Sequence, residues 1–327
     1  MPQTPAIPPL VSGGIMLTYR CTNACKHCLY RCSPSHDDVF MTEERIDETF
    51  AALATEPSLY GVHIAGGEAT MNWDRLLYSI DSARRHGIDI DYLETNAYWC
   101  KDEATTIEGF GQLKEAGLRA VLISASLFHN EFTPLAQTRM AIRVARNTFG
   151  RGGVLVWTED VLALMEQHLD DRKTHPLRKS CEQIGLSESD VWLVHNYLTP
   201  GGRAAEKLAN GCRRVSPDRF TGDACGQTMQ GTHHFHIDPH GNLFTGKCPG
   251  ISVASVDCLH PEIDTDRFPV YTTLAAEGPT GVWQRFAPDF TPDPEGYIGK
   301  CHFCLELRKY LRENGEYEEF RPDEFYR

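Results

Sequence analysis

Hydrophobic and polar positions repeat in a regular order between Gly14 and Pro200. Short apolar runs typical of strands are separated by amphipathic stretches typical of helices. The predicted strands are 15–19, 61–65, 88–95, 120–126, 153–157 and 191–198. The predicted helices are 42–54, 73–86, 103–116, 135–148 and 159–169. This alternation predicts an α/β fold built on parallel strands, and six such units are fewer than a closed eight-strand barrel needs.

The pattern changes after "TPGGRA" (199–204), where cysteine, glycine, proline and histidine become frequent. The run "HHFHIDPHGNLF" places the turn residues 238–241 between two β-like segments and therefore predicts a hairpin. A closing helix is predicted over 304–314. The resulting division is an N-terminal arm (1–14), a core domain (15–205) and a small C-terminal domain (206–327).

Composition narrows the class of protein. Apolar residues make up 41% and charged residues 24% of the 327 residues, as in an ordinary globular protein. The start of the chain lacks the features of a signal peptide, and no run of about 18 apolar residues occurs, so we expect a cytoplasmic protein with no membrane partner. The net charge of −13 argues against binding nucleic acid. Twelve cysteines without an export signal indicate metal ligation or thiol chemistry.

Three cysteines follow the first predicted strand closely, as Cys21-x3-Cys25-x2-Cys28. They lie where a parallel sheet or barrel normally builds its ligand site. A structural zinc site has four protein ligands, whereas an iron–sulfur cluster held by three cysteines leaves one iron free for another ligand. Because Cys32 or His27 would supply a fourth ligand, both zinc and an iron–sulfur cluster remain open on this stretch alone.

This spacing closely resembles the signature of the radical S-adenosylmethionine (radical SAM) superfamily. "AGGEAT" (65–70) follows the second predicted strand, where the family has a Gly-Gly-Glu that approaches the SAM amino group. The resemblance, which covers about residues 15–205, implies a partial (β/α)6 TIM-like barrel with a [4Fe–4S] cluster bound by Cys21, Cys25 and Cys28. The SAM contacts that it implies are Gly66, Gly67, Glu68, Asn96, Ser124, Ser126 and Arg203. The family's motif after the fifth strand is missing, since "VLVWTED" stands there.

Four further cysteines flank the hairpin and open the last helix: Cys225, Cys248, Cys301 and Cys304. Four thiolates can bind zinc or an iron–sulfur cluster. The arrangement resembles the shortened auxiliary-cluster ("twitch") form of the SPASM domain found in radical SAM relatives, although the spacing from Gly241 to Cys248 departs from the family pattern. The resemblance implies one auxiliary [4Fe–4S] cluster in a small α+β domain, in which Cys212 or Cys258 would be an alternative ligand.

Other candidate residues lie outside these motifs. Cys212 or Cys258 would return hydrogen to a substrate radical, as thiols do in radical SAM epimerases. His129 and Glu131, in "SLFHNEFTP" (126–134), are candidates for substrate binding or acid–base chemistry, and packing at the start of a helix explains them equally well. The histidines of the hairpin region, His233, His234, His236 and His240, are expected to face solvent or to lie behind the site, because strand alternation separates neighbours.

The resemblance implies an enzyme that cleaves SAM reductively and abstracts hydrogen from a substrate, with electrons from a flavodoxin- or ferredoxin-type donor. The expected outcome is oxidation or epimerisation of a small sugar-like or aminoglycoside-like natural product. Fourteen residues before the first strand are too few for a separate peptide-recognition domain, which favours a compact substrate. The alternatives are maturation of a ribosomally made peptide and, in another class, a non-enzymatic zinc or iron–sulfur binding module.

Overall fold

The computed structural model describes residues 6–195 and 198–327. Its strands are β1 Ser12–Met16, β2 Gly61–Ala65, β3 Ile90–Thr95, β4 Val121–Ser124, β5 Val154–Trp157, β6 Phe235–Ile237, β7 Asn242–Phe244 and β8 Ala254–Ser255. Its helices are α1 Glu43–Leu53, α2 Trp73–Arg85, α3 Glu103–Glu115, α4 Leu127–Asn130, α5 Leu135–Phe149, α6 Glu159–His168, α7 Leu177–Ile184, α8 Val191–Val194, α9 Gly202–Lys207, α10 Gly226–Met229, α11 Pro269–Phe286 and α12 Lys300–Asn314. The helix α11 is broken at Gly278.

All eight strands belong to one sheet, in the order β5-β4-β3-β2-β1-β6-β7-β8. The strands β1 to β5 pair in parallel, and β6 pairs in parallel with the other side of β1. The strands β7 and β8 are antiparallel additions at the far edge. The predicted α/β fold with a parallel core is therefore confirmed, and so is the hairpin at 238–241.

The helices that follow the first strands begin where the sequence provides a cap. The side chains of Thr42, Asn72 and Asp102 each accept a hydrogen bond from a backbone N–H in the first turn of α1, α2 and α3. Such caps satisfy donors that the helix itself leaves unpaired. The predicted boundaries of these helices agree with the structure to within one residue.

The two faces of the sheet have different compositions. On the helix side, Ile15, Ile64, Leu93 and Ile123 are fully buried in the main apolar core. The register aligns Gly14 of β1 with His63 of β2 and with His236 of β6 on the opposite face. Because successive side chains of a strand alternate, this opposite face is lined in part by polar residues. This opposite face therefore presents polar side chains that can bind a ligand.

The sixth strand predicted over 191–198 is wrong where the structure describes it. Residues Val191–Val194 form the short helix α8, and positions 196 and 197 lie outside the described residues. Ser187 and Asp190 form a capping box immediately before this segment, which starts a helical turn. A short apolar run does not distinguish a strand from a buried helical turn, and the sequence interpretation chose the wrong one.

The sixth parallel strand comes from the C-terminal part of the chain. β6 forms backbone pairs with Gly13, Gly14 and Ile15. The sheet thus continues across the predicted boundary at residue 205, and the division into domains stays a prediction. No helix in the described ranges is long and apolar enough to cross a membrane.

Candidate active site

A cavity of about 300 Å³ opens at the carboxyl ends of the parallel strands. Predicted site residues that line it are Cys21, Cys25, Cys28, Gly66, Gly67, Glu68, Asn96, Ser124 and His129. Residues from the first cysteine motif, from the loop after β2 and from the ends of β3 and β4 therefore meet at one place. Such a position is where parallel α/β proteins bind ligands.

The cysteine loop is held in a fixed shape by backbone hydrogen bonds. The N–H of Cys21 donates to the carbonyl of Ser33, and the N–H of Cys28 donates to the carbonyl of Cys25. Burial raises the pKa of Cys21 to about 12, and the charge of Glu68 adds to this effect. Thiols in this environment lose their protons most readily to a bound metal.

Cys32 lies beside Cys28 and lines the same cavity. A side-chain hydrogen bond from Cys32 lowers the pKa of Cys28, which makes Cys28 the more easily ionised of the two thiols. The fourth thiol of the loop is thus near the three that the motif selects. The C32A substitution tests whether Cys32 is a fourth ligand.

The two glycines of the Gly-Gly-Glu segment allow it to approach the cysteine loop. A Cβ atom on Gly67 would lie 1.8 Å from the carbonyl oxygen of Arg20, and Gly66 has a φ of +131°. The N–H of Glu68 donates to the same carbonyl of Arg20 at 3.0 Å. Only glycine permits this contact and this backbone conformation. The segment is therefore a close-fitting cradle beside the three thiols.

Glu68 is buried and its carboxylate accepts three hydrogen bonds. The donors are the hydroxyl of Thr70, the hydroxyl of Thr95 at 2.9 Å and the N–H of Asn96 at 2.8 Å. Burial nevertheless raises the pKa of Glu68. A carboxylate fixed in this way at a cavity wall can bind a ligand ammonium group.

Asn96 and Ser124 both face the cavity, while Ser126 does not line it. The amide of Asn96 donates to the Thr22 hydroxyl at 3.0 Å and lies 3.6 Å from the Cys21 sulfur. The hydroxyl of Ser126 caps α4 and lies 2.7 Å from Nδ1 of His129. A SAM contact by any of the three stays a prediction.

His129 faces the cavity, and Glu131 lies behind the cysteine loop. Burial and the nearby His195 lower the pKa of His129 to about 3, so its imidazole is neutral. Glu131 pairs with Lys26 at 2.8 Å and accepts a hydrogen bond from the N–H of Leu177. The structure therefore supports a positioning role for Glu131, because its carboxylate holds a residue between Cys25 and Cys28.

Arg203 supports the cysteine loop from outside the cavity. Its guanidinium donates to the carbonyls of Cys25 and Cys32, each at 2.9 Å, and also to that of Arg31. Its neighbour Gly202 approaches the loop so closely that a Cβ atom would lie 2.2 Å from the carbonyl oxygen of Leu29. The predicted contact of Arg203 with SAM has no support in these bonds and stays a prediction.

Cys212 and Cys258 do not line the cavity. The Cys212 thiol donates to the carbonyl of Leu208, and Cys258 is exposed at a turn beside β8. The geometry therefore does not bring either thiol to the site where a substrate radical would need a hydrogen donor.

The four cysteines of the C-terminal region come together. Burial raises the pKa of Cys248, and the charges of Cys301 and Cys304 add to the shift. Burial likewise raises the pKa of Cys225 to about 12, with further contributions from Cys304 and Cys301. The four thiols therefore lie within electrostatic reach of one another. Sequence spacing alone did not establish this convergence.

Arg308 places a buried positive charge beside these cysteines. It stands one and two turns after Cys304 and Cys301 on α12, a spacing that puts all three on one helix face. Its guanidinium donates to the carbonyl of Pro249 at 2.9 Å, next to Cys248. In the described part of the chain it has no carboxylate within ion-pair distance. A buried unpaired cation is costly, so this site fits an anionic group bound by the thiolates.

Sequence interpretation missed a polar group on the inner face of the sheet. The rings of His63, His234 and His236 lie 4.9 to 5.6 Å apart, and Glu94 approaches His63 at 3.7 Å. His236 is buried, contrary to the expectation that hairpin histidines face solvent or lie behind the site; it lines the cavity, as do His234 and Glu94. The available signal was polar residues at alternating positions of predicted buried strands.

In the described residues no three His, Cys, Asp or Glu side chains are arranged to hold a single metal ion. An iron–sulfur cluster differs in that each thiolate binds a different iron atom, which separates the ligands. Three thiols line the cavity, with a glycine cradle beside them. These donors fit an iron–sulfur cluster whose fourth iron takes another ligand.

Comparison with known families agrees with this fit. Residues 15–167 match the family model described as Radical SAM superfamily. This part of the chain, somewhat less than half of its length, is therefore similar to a radical SAM superfamily domain, and the α/β fold with a parallel sheet core agrees with that match. The superfamily implies a [4Fe–4S] cluster and SAM.

Among solved structures, BtrN in complex with AdoMet and 2-DOIA is similar with a TM-score of 0.44 and 10% identity, covering 77% of this chain and 80% of that one. Native anSMEcpe with bound AdoMet and the Cp18Cys peptide is similar with a TM-score of 0.40 and 14% identity, covering 76% and 78%. At these identities the likeness concerns the fold alone. No curated protein matches the chain in sequence.

Proposed function

We propose that this protein is a radical SAM enzyme that oxidises or epimerises a compact, sugar-like substrate. The observation that carries the proposal is the single cavity shared by Cys21, Cys25, Cys28 and the Gly66–Glu68 cradle. In this proposal the three thiolates hold a [4Fe–4S] cluster. When bound, such a cluster would supply the electron for reductive cleavage of SAM, the chemistry that leads to abstraction of hydrogen from the substrate.

Each residue of the candidate site has a defined task in this proposal. Glu68, fixed by three hydrogen bonds, binds the SAM ammonium group. Gly66 and Gly67 let the backbone reach the methionine moiety. Arg203 and Glu131 keep the cysteine loop in place through the carbonyls of the loop and through Lys26. Ser124, Asn96 and the neutral His129 line the remaining wall.

The second cysteine set completes the proposal as an auxiliary cluster. Cys225, Cys248, Cys301 and Cys304 supply four thiolates, and Arg308 supplies a compensating charge. A fully ligated cluster has no open iron, so we assign it to electron transfer. Electrons reach the protein from a low-potential donor of the flavodoxin or ferredoxin type.

Anaerobic reconstitution followed by metal analysis tests the proposal. We expect about eight iron and eight sulfide per chain, corresponding to two [4Fe–4S] clusters, and negligible zinc. Addition of SAM and dithionite is expected to produce 5′-deoxyadenosine. A protein that instead retains zinc and forms no 5′-deoxyadenosine is the zinc-binding module considered from the sequence, and that result contradicts the enzyme.

A further inference from the structure

The inner face of the sheet contains a polar compartment that the cluster and SAM residues do not use. His63 of β2, Glu94 of β3 and His236 of β6 meet there across Gly14 of β1. A Cβ atom on Gly14 would lie 2.4 Å from Nε2 of His63 and 2.7 Å from Cδ2 of His236. Only glycine at this position leaves room for both imidazoles, so this compartment is built into the sheet.

Several buried polar atoms of the compartment have no hydrogen-bond partner among the described residues. They are Nε2 of His63, Nδ1 of His236 and the hydroxyl of Tyr30. His63 is 2% exposed and His236 is 6% exposed, which keeps bulk water away from them. Leaving such groups unpaired is unfavourable, and a ligand in the cavity would satisfy those of His236 and Tyr30, which line it.

The charge state of the two imidazoles limits the kinds of ligand that the compartment can bind. Burial lowers the pKa of His63 to about 3 and lowers that of His236 as well. A neutral imidazole carries one donor and one acceptor. Hydroxyl groups both donate and accept, so they match these rings better than a carboxylate or phosphate, which only accepts.

Glu94 adds a carboxylate without a counter-charge. Its only basic neighbour within ion-pair distance in the described chain is His63, at 3.7 Å, and that ring is neutral. Burial and the charge of Glu68 raise the pKa of Glu94 to about 7. A ligand ammonium group would satisfy this carboxylate, whereas a ligand anion would be repelled. Lys247, the one fixed cation lining the cavity in the described chain, forms no ion pair with Glu94.

The aromatic residues of the cavity wall suit a compact ring. Tyr30 lines the cavity 4.9 Å from His236, and Tyr92 stacks on His63 behind the wall with ring centroids 4.9 Å apart. The C–H faces of a saturated ring pack against aromatic side chains while its hydroxyls reach polar atoms at the edge.

We propose that Glu94, His236 and Tyr30 form the substrate subsite, with His63 packed behind them against Gly14, and that its ligand is a small ring bearing several hydroxyls and one amine. The amine pairs with Glu94, and the hydroxyls bond to Nδ1 of His236 and to the hydroxyl of Tyr30. This inference rests on the proposed function, since it places the substrate in the cavity that the cysteine loop and the Gly66–Glu68 cradle also line.

Equilibrium dialysis of the reconstituted protein with SAM tests the subsite without requiring turnover. The probes are D-glucosamine, D-glucose, which lacks the amine, and cyclohexylamine, which lacks the hydroxyls. We expect glucosamine to bind at least about tenfold more tightly than either of the other two, the usual size of one charged hydrogen bond. Equal binding of glucosamine and glucose, or no binding of glucosamine, overturns the inference.

Single substitutions show which side chains cause the preference for glucosamine. We expect E94Q to lose the preference for glucosamine over glucose and E94D to keep it, while E115Q, which removes an exposed carboxylate elsewhere, behaves as wild type. H236F is expected to weaken both sugars. Circular dichroism checks the fold of each variant. If E94Q does not fold, the wild-type comparison of glucosamine with glucose still decides the inference. Retention of the preference by a folded E94Q contradicts the role of Glu94.

The two proposals fail separately. A protein that produces 5′-deoxyadenosine from SAM but does not prefer glucosamine retains the radical SAM function and loses the subsite. A protein that binds glucosamine through Glu94 but carries no iron–sulfur cluster retains the subsite and loses the proposed reaction.

Discussion

Cys21, Cys25 and Cys28 lie in one loop at a cavity, whereas Cys225, Cys248, Cys301 and Cys304 come from three separate segments. In each region a guanidinium bonds to backbone carbonyls near the thiols: Arg203 in the first and Arg308 in the second. Beside the first region lie a buried carboxylate, that of Glu68, and the Gly66–Gly67 cradle, both of which line the same cavity as the thiols. The difference teaches that similar ligands lie in different surroundings, which in the proposed function correspond to an open site for a cofactor and a closed one for electrons.

Removing either set of thiols gives the largest expected effect. The triple variant C21A/C25A/C28A should bind about four iron atoms, because the second set still holds its cluster, and should form no 5′-deoxyadenosine. The matched variant C248A/C304A should also lose about four iron atoms but should still cleave SAM when dithionite supplies electrons. Iron analysis and chromatography of the nucleoside products measure both outcomes. SAM cleavage by the first variant contradicts the comparison.

The next largest expected effect shows whether three or four thiols of the first loop bind the cluster. C28A is expected to abolish SAM cleavage, whereas C32A should stay within about threefold of wild type, since its main cost is a small core cavity. The rate of 5′-deoxyadenosine formation distinguishes the two. Equal loss in C32A would mean that four thiols close the site, as in the zinc alternative.

Glu68 is expected to have an intermediate effect, on SAM affinity. E68Q removes a charged hydrogen bond and should weaken SAM binding by about 1.5–3 kcal/mol, or roughly tenfold to a hundredfold. Because burial raises the pKa of Glu68, its carboxyl becomes protonated at a higher pH than an ordinary glutamate. Wild-type affinity should therefore fall as the pH is lowered, while E68Q should show little dependence on pH. Equilibrium dialysis with labelled SAM over a range of pH measures this difference.

Arg308 should have the smallest effect, on the potential of the second cluster alone. Reduction adds a negative charge that a nearby buried cation stabilises, so R308M should lower the midpoint potential of this cluster by tens of millivolts. K309M removes a charge from the next position of the same helix, where Lys309 pairs with Glu206, and serves as the control. Redox titration followed by electron paramagnetic resonance resolves the two clusters. An equal shift in K309M would show that Arg308 has no special position.

Much of the fold could be predicted from the sequence because its local patterns are strong. The strands β2 to β5 and the helices α1 to α3 follow from short-range alternation, and the structure shows Thr42, Asn72 and Asp102 capping these helices. The segment 191–198 could not, because an apolar run is compatible with both a strand and a buried helical turn. β6 takes the sixth parallel position through a long-range pairing with β1, which local patterns do not encode.

The residues of the candidate site also fall into two groups, those that local sequence predicts and those that it does not. The Cys-x3-Cys-x2-Cys spacing and the Gly-Gly-Glu segment are local, and the structure brings both to one cavity. His63, Glu94 and His236 belong to three strands, and nothing in the sequence near any one of them indicates the other two. Arg308 resembles an ordinary charged residue of a helix until its burial beside the cysteines is known.

The most direct test is electron–nuclear double resonance on the reduced C248A/C304A variant mixed with SAM labelled with ¹⁵N at the methionine amine. The account predicts a hyperfine coupling between the label and the remaining cluster, since one iron is open to this ligand. A spectrum without that coupling, unchanged by SAM, would show that the protein closes all four corners and would contradict the account.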